Sequence, residues 1–525
     1  MTVDVLLRGG LVVDGLGSPA KRAAVGIQEG RISSVGADVP ARHVVDVDGL
    51  VVSPGFIDMH THADLALVRS GVLGMKLAQG VTLEVLGQDG LSCAPVSEGR
   101  LELVADLIAA LDGETDEPWG WRTVAQYLDR LDGRVAQNVM YLVPHGTIRA
   151  CVMGSEEREA TPDEVEQMRR LVVESLAGGA VGLSSGLSYP PAHTSTTDEV
   201  VALAKPLAAS GGIYVTHLRS YGERLVEATE EALEIGRRAK APVHFSHFQA
   251  PGKRNHGLLE SLLGRLEEAH EGGLDVSFDV YPYEAASTML TAFLPPPIRF
   301  LPRREGVEAL RGETLRRDLI SQIDNGRPVG MDVEWSDIRV ANGLELLGGG
   351  EPRLVDIAQR RDESVGQTIV SLLEMTECRA SVVVASTLES DVTACLVHRF
   401  ATVGSDGLLV GERPHPRAFG TFPRFLRRAK ANGLALEGAV KAMTGRAAAR
   451  LGLADRGRIE VGVAADLCVF DAERFVDRAT YDDPTRLATG MELVFVNGVV
   501  VWDQDGATGE TPGQAIRARR IRATG

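Results

Sequence analysis

Short apolar, β-branched runs punctuated by glycine occupy both ends of this chain. The first 50 residues hold VDVLLRGGLVVDG, AAVGIQEGRISSVG and HVVDVDGLVVSPG, a pattern that predicts strands. The last 70 residues repeat it in GRIEVGVAADLCVFD and MELVFVNGVVVWDQDG, with Asn497-Gly498 placed for a two-residue hairpin turn. β-rich ends around a long middle predict one small β-sandwich built from both termini, residues 1–54 and 455–525.

The middle, 55–454, alternates strand and helix patterns. Apolar β runs lie near 55–60, 81–86, 139–144, 181–184, 213–217, 243–247, 276–281 and 400–405. Between most of them apolar residues recur at helical spacing. In 161–176, Thr161 and Glu164 form a capping box and Pro162 takes the first helical position. Val165, Met168, Leu171, Val172, Ser175 and Leu176 then mark a buried face, and Gly178-Gly179 stops the helix. Eight βα repeats predict an α/β fold, a (β/α)8 TIM barrel. A doubly wound open sheet is the alternative reading of the same alternation. More than 110 residues separate the seventh and eighth strands. The part from 284 to about 351 is rich in Pro, Gly and Arg and follows a strand's C-terminal end, which predicts an insertion over the barrel mouth and a candidate lid.

Composition narrows the function. The 525 residues are 44% hydrophobic and 24% charged, ordinary values for a folded protein. Lys plus Arg is 55 and Asp plus Glu is 72, a net charge of −17. So acidic a surface argues against nucleic acid and anionic membrane as partners but leaves room for a small anionic substrate held by one or two local arginines. The longest stretch without an acidic or basic charge, 175–197, is broken by Gly178, Gly179, Pro190 and Pro191 and does not read as a membrane span. Asp4 and Arg8 interrupt what would be the apolar core of a signal peptide. Five cysteines without CxxC spacing fit a reducing cytoplasm and give no disulfide framework.

Candidate chemistry begins at PGFIDMHTHAD, residues 54–64. On a strand, positions i and i+2 face the same way, so His60 and His62 converge at the end of the first barrel strand. Two convergent imidazoles suit a divalent transition metal. His217 closes GIYVTH, His247 closes APVHFSH, and Asp406 closes FATVGSD. Three further donor residues at separate strand ends, all on the barrel's catalytic face, strengthen the reading of a metal site.

With these residues in place the chain resembles the amidohydrolase superfamily and, within it, the N-acyl-D-amino-acid deacylases (D-aminoacylases). The segments that carry the resemblance are PGFIDMHTH, KLAQGVTLEVLGQDGLSCAPV, GLSSGLSYPP, YVTHLRS, FSHFQAPGKRNHG, DVYPYEAAST, and GSDG followed by HPRAFGTFPRFL. The resemblance implies hydrolysis of the amide bond of N-acyl-D-amino acids, with zinc as the expected metal, one ion or two. It implies that Asp406 orients the attacking water, takes its proton and passes it to the leaving amine. Arg417, Tyr281, Ser287 and Tyr189 match positions that hold the substrate carboxylate, for which an arginine fork is well suited. Arg219, two residues beyond His217, and His145, at the end of the third strand, are further candidates to face the substrate.

Two departures stand out. The family usually has Gly-Asn-Cys-Gly after strand two, with the cysteine as a metal ligand; here the segment is Gly87-Gln88-Asp89-Gly90. Asp89 holds the register and can replace a thiolate, bridging two ions; Cys93 is its rival. A lysine that often follows the strand-six histidine by two residues is here Gln249. Lys253 and Arg254 lie near enough in sequence to substitute for it. The missing cation leads us to expect neutral, apolar substrate side chains and poor use of acidic ones. A related chemistry, opening of a cyclic amide such as a hydantoin or cleavage of a D-configured dipeptide, is the second reading. Self-association is left open.

Overall fold

The computed structural model describes residues 2–518. Eight parallel strands run Phe56–Asp58, Val81–Leu86, Asn138–Pro144, Gly182–Gly186, Ile213–His217, Val243–Phe245, Val276–Val280 and Ala401–Val403, each paired with its sequence neighbour. The barrel closes between the eighth and first: Met59 N–H donates to Val403 O at 3.0 Å and Asp406 N–H to His60 O at 2.7 Å. Gly407 and Leu408 extend the closure by pairing with Thr61 and His62. All eight predicted strands lie where the sequence pattern puts them, and the doubly wound alternative is excluded.

Same-face pairs two residues apart build one core cluster: Leu83 with Val85, Met140 with Leu142, Ile213 with Val215. Ala447 and Ala448 of the helix Gly445–Arg450 join them. The helix Pro162–Ala177 begins with the predicted capping box and is capped by Gly178. It buries Met168, Val172 and Ser175 and leaves Val173 exposed.

Both termini build the sandwich, as predicted. A four-stranded sheet of N-terminal strands faces a seven-stranded sheet in which Val51–Pro54 pairs with Leu467–Phe470. Leu7, Val25, Ile27, Val52, Leu467, Val469 and Phe495 fill the space between the sheets. Asn497 and Gly498, both at positive φ, make the hairpin turn. The predicted C-terminal half ran to 525, and its last seven residues lie outside the described ones.

The insertion is larger than the sequence suggested. Its antiparallel sheet joins Ala285–Met289, Ser381–Ala385 and Ile338–Val340, so the inserted unit runs about 30 residues beyond 351. The helices Leu354–Arg361 and Val365–Met375 belong to it, because their apolar faces pack with Leu290, Ile298, Leu319 and Val382 in a core of its own. In sequence those helices look like barrel helices, since periodicity reveals a buried face but not the core it joins. Arg303 reaches Asp106 at 2.8 Å and Arg379 reaches Glu114 at 2.7 Å, which tie the unit to the barrel beside the helix Leu101–Asp112.

Candidate metal centre and cavity

Every strand end in question opens on the same face. His60 and His62 follow the first strand, His217 ends the fifth, His247 lies two residues past the sixth, and Asp406 three past the eighth. Asp89 sits in the turn Gln88–Gly90 after the second strand. Gly87 starts that turn at φ 77°, where a Cβ would lie 2.2 Å from Leu142 O, so only glycine lets the chain bend so close to strand three.

These six side chains form two groups that share Asp89: His60, His62, Asp89 and Asp406, and Asp89, His217 and His247, all buried. Asp89 Oδ1 is 3.6 Å from His60 Nε2, while Oδ2 is 3.5 Å from His217 Nδ1 and 3.6 Å from His247 Nε2. Asp406 Oδ1 is 3.4 Å from His62 Nε2. Donors bound to one tetrahedral zinc at about 2.0–2.1 Å stand about 3.3 Å apart, so the spacing fits ligands around an ion. The polar bookkeeping agrees: both ring nitrogens of His60 and Oδ1 of Asp89 are buried without a hydrogen-bond partner. Imidazole and carboxylate donors suit zinc and its neighbours. The residues therefore fit a divalent metal, and Asp89 can serve two ions. Cys93 does not join them. It is fully buried, and burial raises its thiol pKa well above the usual range.

Three of the six residues hold strained backbone: φ is 52° at Asp89, 34° at His247 and 47° at Asp406. Hydrogen bonds hold two of them, His247 N–H to Asp279 Oδ1 at 2.8 Å and Asp406 N–H to His60 O. Burial opposes charge on His62, but Asp406 and Asp89 outweigh it and raise its pKa to about 9. His60 is raised well above the ordinary value, burial again being outweighed by Asp89, Asp279 and Asp406. Burial would raise Asp89, yet His60 and His217 hold it well below the usual carboxylate range. Asp406 is likewise held down against burial, chiefly by Arg417 and His60.

A cavity, open at its mouth, lies over the cluster. Tyr189, Tyr281, Ser287, Gln249 and Arg219 line it, and Arg219 is also paired with Glu231 at 2.7 Å. Gln249 donates to Tyr281 Oη at 3.3 Å and accepts from Thr387 at 3.0 Å.

Arg417 is placed differently from its expected role. It is fully buried, ion-paired with Asp406 Oδ2 at 2.9 Å, donates to Ser287 O at 3.2 Å, and stacks 4.6 Å from the Tyr281 ring centre. Its charge therefore stands directly behind two lining residues and not among them. His145 does not reach the cavity. The helix His145–Met153 starts at once after strand three, so no loop carries the ring over the mouth; it bonds Glu199 at 2.9 Å beside Arg149.

Some cavity residues escaped the sequence reading. Ser188 shares a 2.9 Å hydrogen bond with His217 Nε2, and Tyr221 Oη lies 3.1 Å from His247 Nδ1. Ser188 lies inside the recognised segment GLSSGLSYPP and Tyr221 directly follows YVTHLRS, which is the only signal the sequence offers. Arg299, from the insertion, lines the cavity and pairs with no carboxylate among the described residues. The expectation that an acidic substrate side chain would find few cations is weakened by it.

The chain's resemblances agree with this site. The model of the amidohydrolase family matches residues 43–311 and 390–502, leaving out much of the insertion, and the chain belongs to that family. It is 38% identical over 520 residues to a D-aminoacylase of Alcaligenes xylosoxydans xylosoxydans, across 98% of this chain and 97% of the relative. A solved D-aminoacylase with a binuclear metal centre is 36% identical and superposes with a TM-score of 0.81 over 98% of this chain and all of its own. The N-acyl-D-glutamate deacylase of Bordetella bronchiseptica, solved with zinc and a phosphonate inhibitor that mimics the tetrahedral intermediate, is 31% identical with a TM-score of 0.83, over 99% of this chain and all of its own.

Proposed function

We propose that this protein hydrolyses the amide bond of N-acyl-D-amino acids, releasing a carboxylate and a D-amino acid in a metal-dependent reaction. The observation that carries the proposal is the pair of donor groups joined at Asp89, set beneath a cavity that Tyr189, Tyr281 and Ser287 help to line. The activities of the D-aminoacylase and D-glutamate deacylase relatives support it. His60, His62, Asp89 and Asp406 would hold one zinc ion, and Asp89, His217 and His247 a second. When bound, zinc supplies Lewis acidity, which makes water more acidic and polarises the amide carbonyl.

The chain's own residues supply the rest. Asp406 accepts the proton of the attacking water at a carboxylate oxygen and delivers it to the leaving nitrogen. Arg417 holds Asp406 in place and keeps it ionised until that transfer. The α-carboxylate of the substrate is received at Tyr281, Ser287 and Gln249, with the Arg417 charge behind them. Fixing the carboxylate on one wall and the carbonyl over the cluster leaves one hand of the α-carbon in register for attack.

A second reading concerns the side chain. Arg299 faces the cavity without a carboxylate partner among the described residues, which favours substrates with an acidic side chain over the neutral ones that Gln249 alone suggested. Within the cell, a small-molecule substrate and a cytoplasmic location remain our reading; among the described residues no helix is long and apolar enough to cross a membrane. The test is a panel of N-acyl-D- and N-acyl-L-amino acids, D-dipeptides and hydantoins, read as free amino acid released. We expect turnover of N-acyl-D-amino acids. A preference for L-substrates or for ring opening would overturn the proposal.

A further inference from the structure

Lys76 is fully buried, and neither the metal reading nor the substrate reading uses it. It rises from the short helix Gly74–Leu77, ahead of strand two. Its ammonium donates to Asp58 Oδ2 at 2.6 Å, Ser405 Oγ at 2.8 Å and Thr61 Oγ1 at 3.0 Å, and lies 3.3 Å from Glu84 Oε2. Those partners are neighbours of the metal-site residues. Asp58 is two residues before His60, Thr61 stands between His60 and His62, and Ser405 directly precedes Asp406.

The partners also bind one another. Asp58 Oδ1 accepts from Ser405 N–H at 2.8 Å and His60 N–H at 3.2 Å, and Asp58 Oδ2 accepts from Ser405 Oγ–H at 2.6 Å. Gly407 N–H donates to Ser405 Oγ at 3.2 Å. The barrel closes at this point, and Asp406 sits here at positive φ. No bond of this network reaches His217 or His247.

We infer that Lys76 is a positioning residue: its buried ammonium clasps the ends of strands one and eight and so sets His60, His62 and Asp406 as one donor group, while leaving the group of His217 and His247 untouched. The inference rests on the metal reading above and adds an asymmetry to it. A buried hydrogen-bonded charge that orients ligands from outside the first layer of contacts typically changes metal affinity by about 10–100-fold.

The test is zinc binding, followed by calorimetry on chelator-treated full-length protein, for the wild type, Lys76→Met, Ser405→Ala, and the references His62→Ala and His217→Ala. Lys76→Met keeps the length and apolar stem of the side chain; Ser405→Ala removes one strand of the network without stripping a buried charge, and it decides the matter if Lys76→Met does not fold. We expect the ion lost in His62→Ala to bind about 10–100-fold more weakly in both clasp variants, and the ion lost in His217→Ala to bind as in the wild type. In parallel, kcat should fall while KM stays near the wild-type value, because Lys76 does not line the cavity. Equal weakening of both ions would reduce Lys76 to a general structural role. Unchanged affinity, for two ions or for a single one, would overturn the clasp directly. A wild type that binds no zinc would overturn the metal reading itself.

Discussion

The floor and the outer wall of the cavity are built on different principles. The floor is six donor side chains at the ends of barrel strands, buried and joined at Asp89. The outer wall comes largely from the insertion, where Ser287, Thr288, Phe293, Arg299 and Met331 face the same space. Strand ends fix a side chain through a hydrogen-bonded ladder, so the floor is stiff and its chemistry is set. The wall hangs on a separate core, tied to the barrel through pairs such as Arg303 with Asp106. We assign the chemistry to the floor and substrate choice to the wall, which the insertion shares with barrel residues such as Tyr281 and Gln249, and changes in the two regions should have separable effects.

The largest effect should come from the floor. Asp406→Asn removes the proton acceptor but keeps an oxygen donor; kcat should fall by about 10²–10⁴-fold with metal content largely retained. A variant of near wild-type rate would remove Asp406 from the chemistry. Next comes Asp89→Ala, which strips the donor common to both groups. Zinc affinity should drop by more than about 100-fold, since even residues outside the first layer cost about 10–100-fold. Cys93→Ala should leave zinc binding intact, and the reverse pattern would make the thiolate the ligand.

Changes in the wall should read out as substrate preference. Arg299→Ala should lower kcat/KM for N-acyl-D-glutamate by roughly 10- to 150-fold, the worth of one charge-assisted hydrogen bond, and leave N-acyl-D-leucine nearly unaffected. Equal losses on both substrates would show that Arg299 reads no side-chain carboxylate. Gln249→Lys should lower KM modestly, by about 10-fold at most, for any substrate with a free α-carboxylate, and not for the matching amide. The smallest catalytic effect belongs to His145→Gln. The ring is held by Glu199 away from the cavity, so activity should survive while stability falls by about 1–3 kcal/mol in a denaturant titration.

The same contrast explains what the sequence disclosed. Most of the floor was legible because its signals are local, an apolar run ending in His-x-His and a histidine closing a strand; Asp89 came only from the family resemblance, as the residue in the place of a cysteine ligand. All eight barrel strands were readable for the same reason. His145 misled because it too follows a strand, and only the immediate start of a helix turns it toward Glu199. The wall was legible only where it falls inside recognised segments, as at Ser287; the rest depends on contacts between distant segments. Arg299 reaches the cavity only through the fold of the insertion, whose later helices carry the same periodicity as barrel helices. Arg417 was singled out by the family resemblance, but nothing local shows that Asp406 takes one arm of its fork. Lys76 lay inside a recognised segment, yet its four partners come from three separate strand regions.

The central claim is that the floor is a metal site that hydrolyses N-acyl-D-amino acids. Its most direct test is to titrate zinc into chelator-treated protein while measuring release of the free D-amino acid from an N-acyl-D-amino acid. Negligible rate is expected without metal, a rate that rises with zinc bound per chain, and little release from the L-enantiomer. A rate that is the same before and after zinc is added, or equal for both enantiomers, would contradict it.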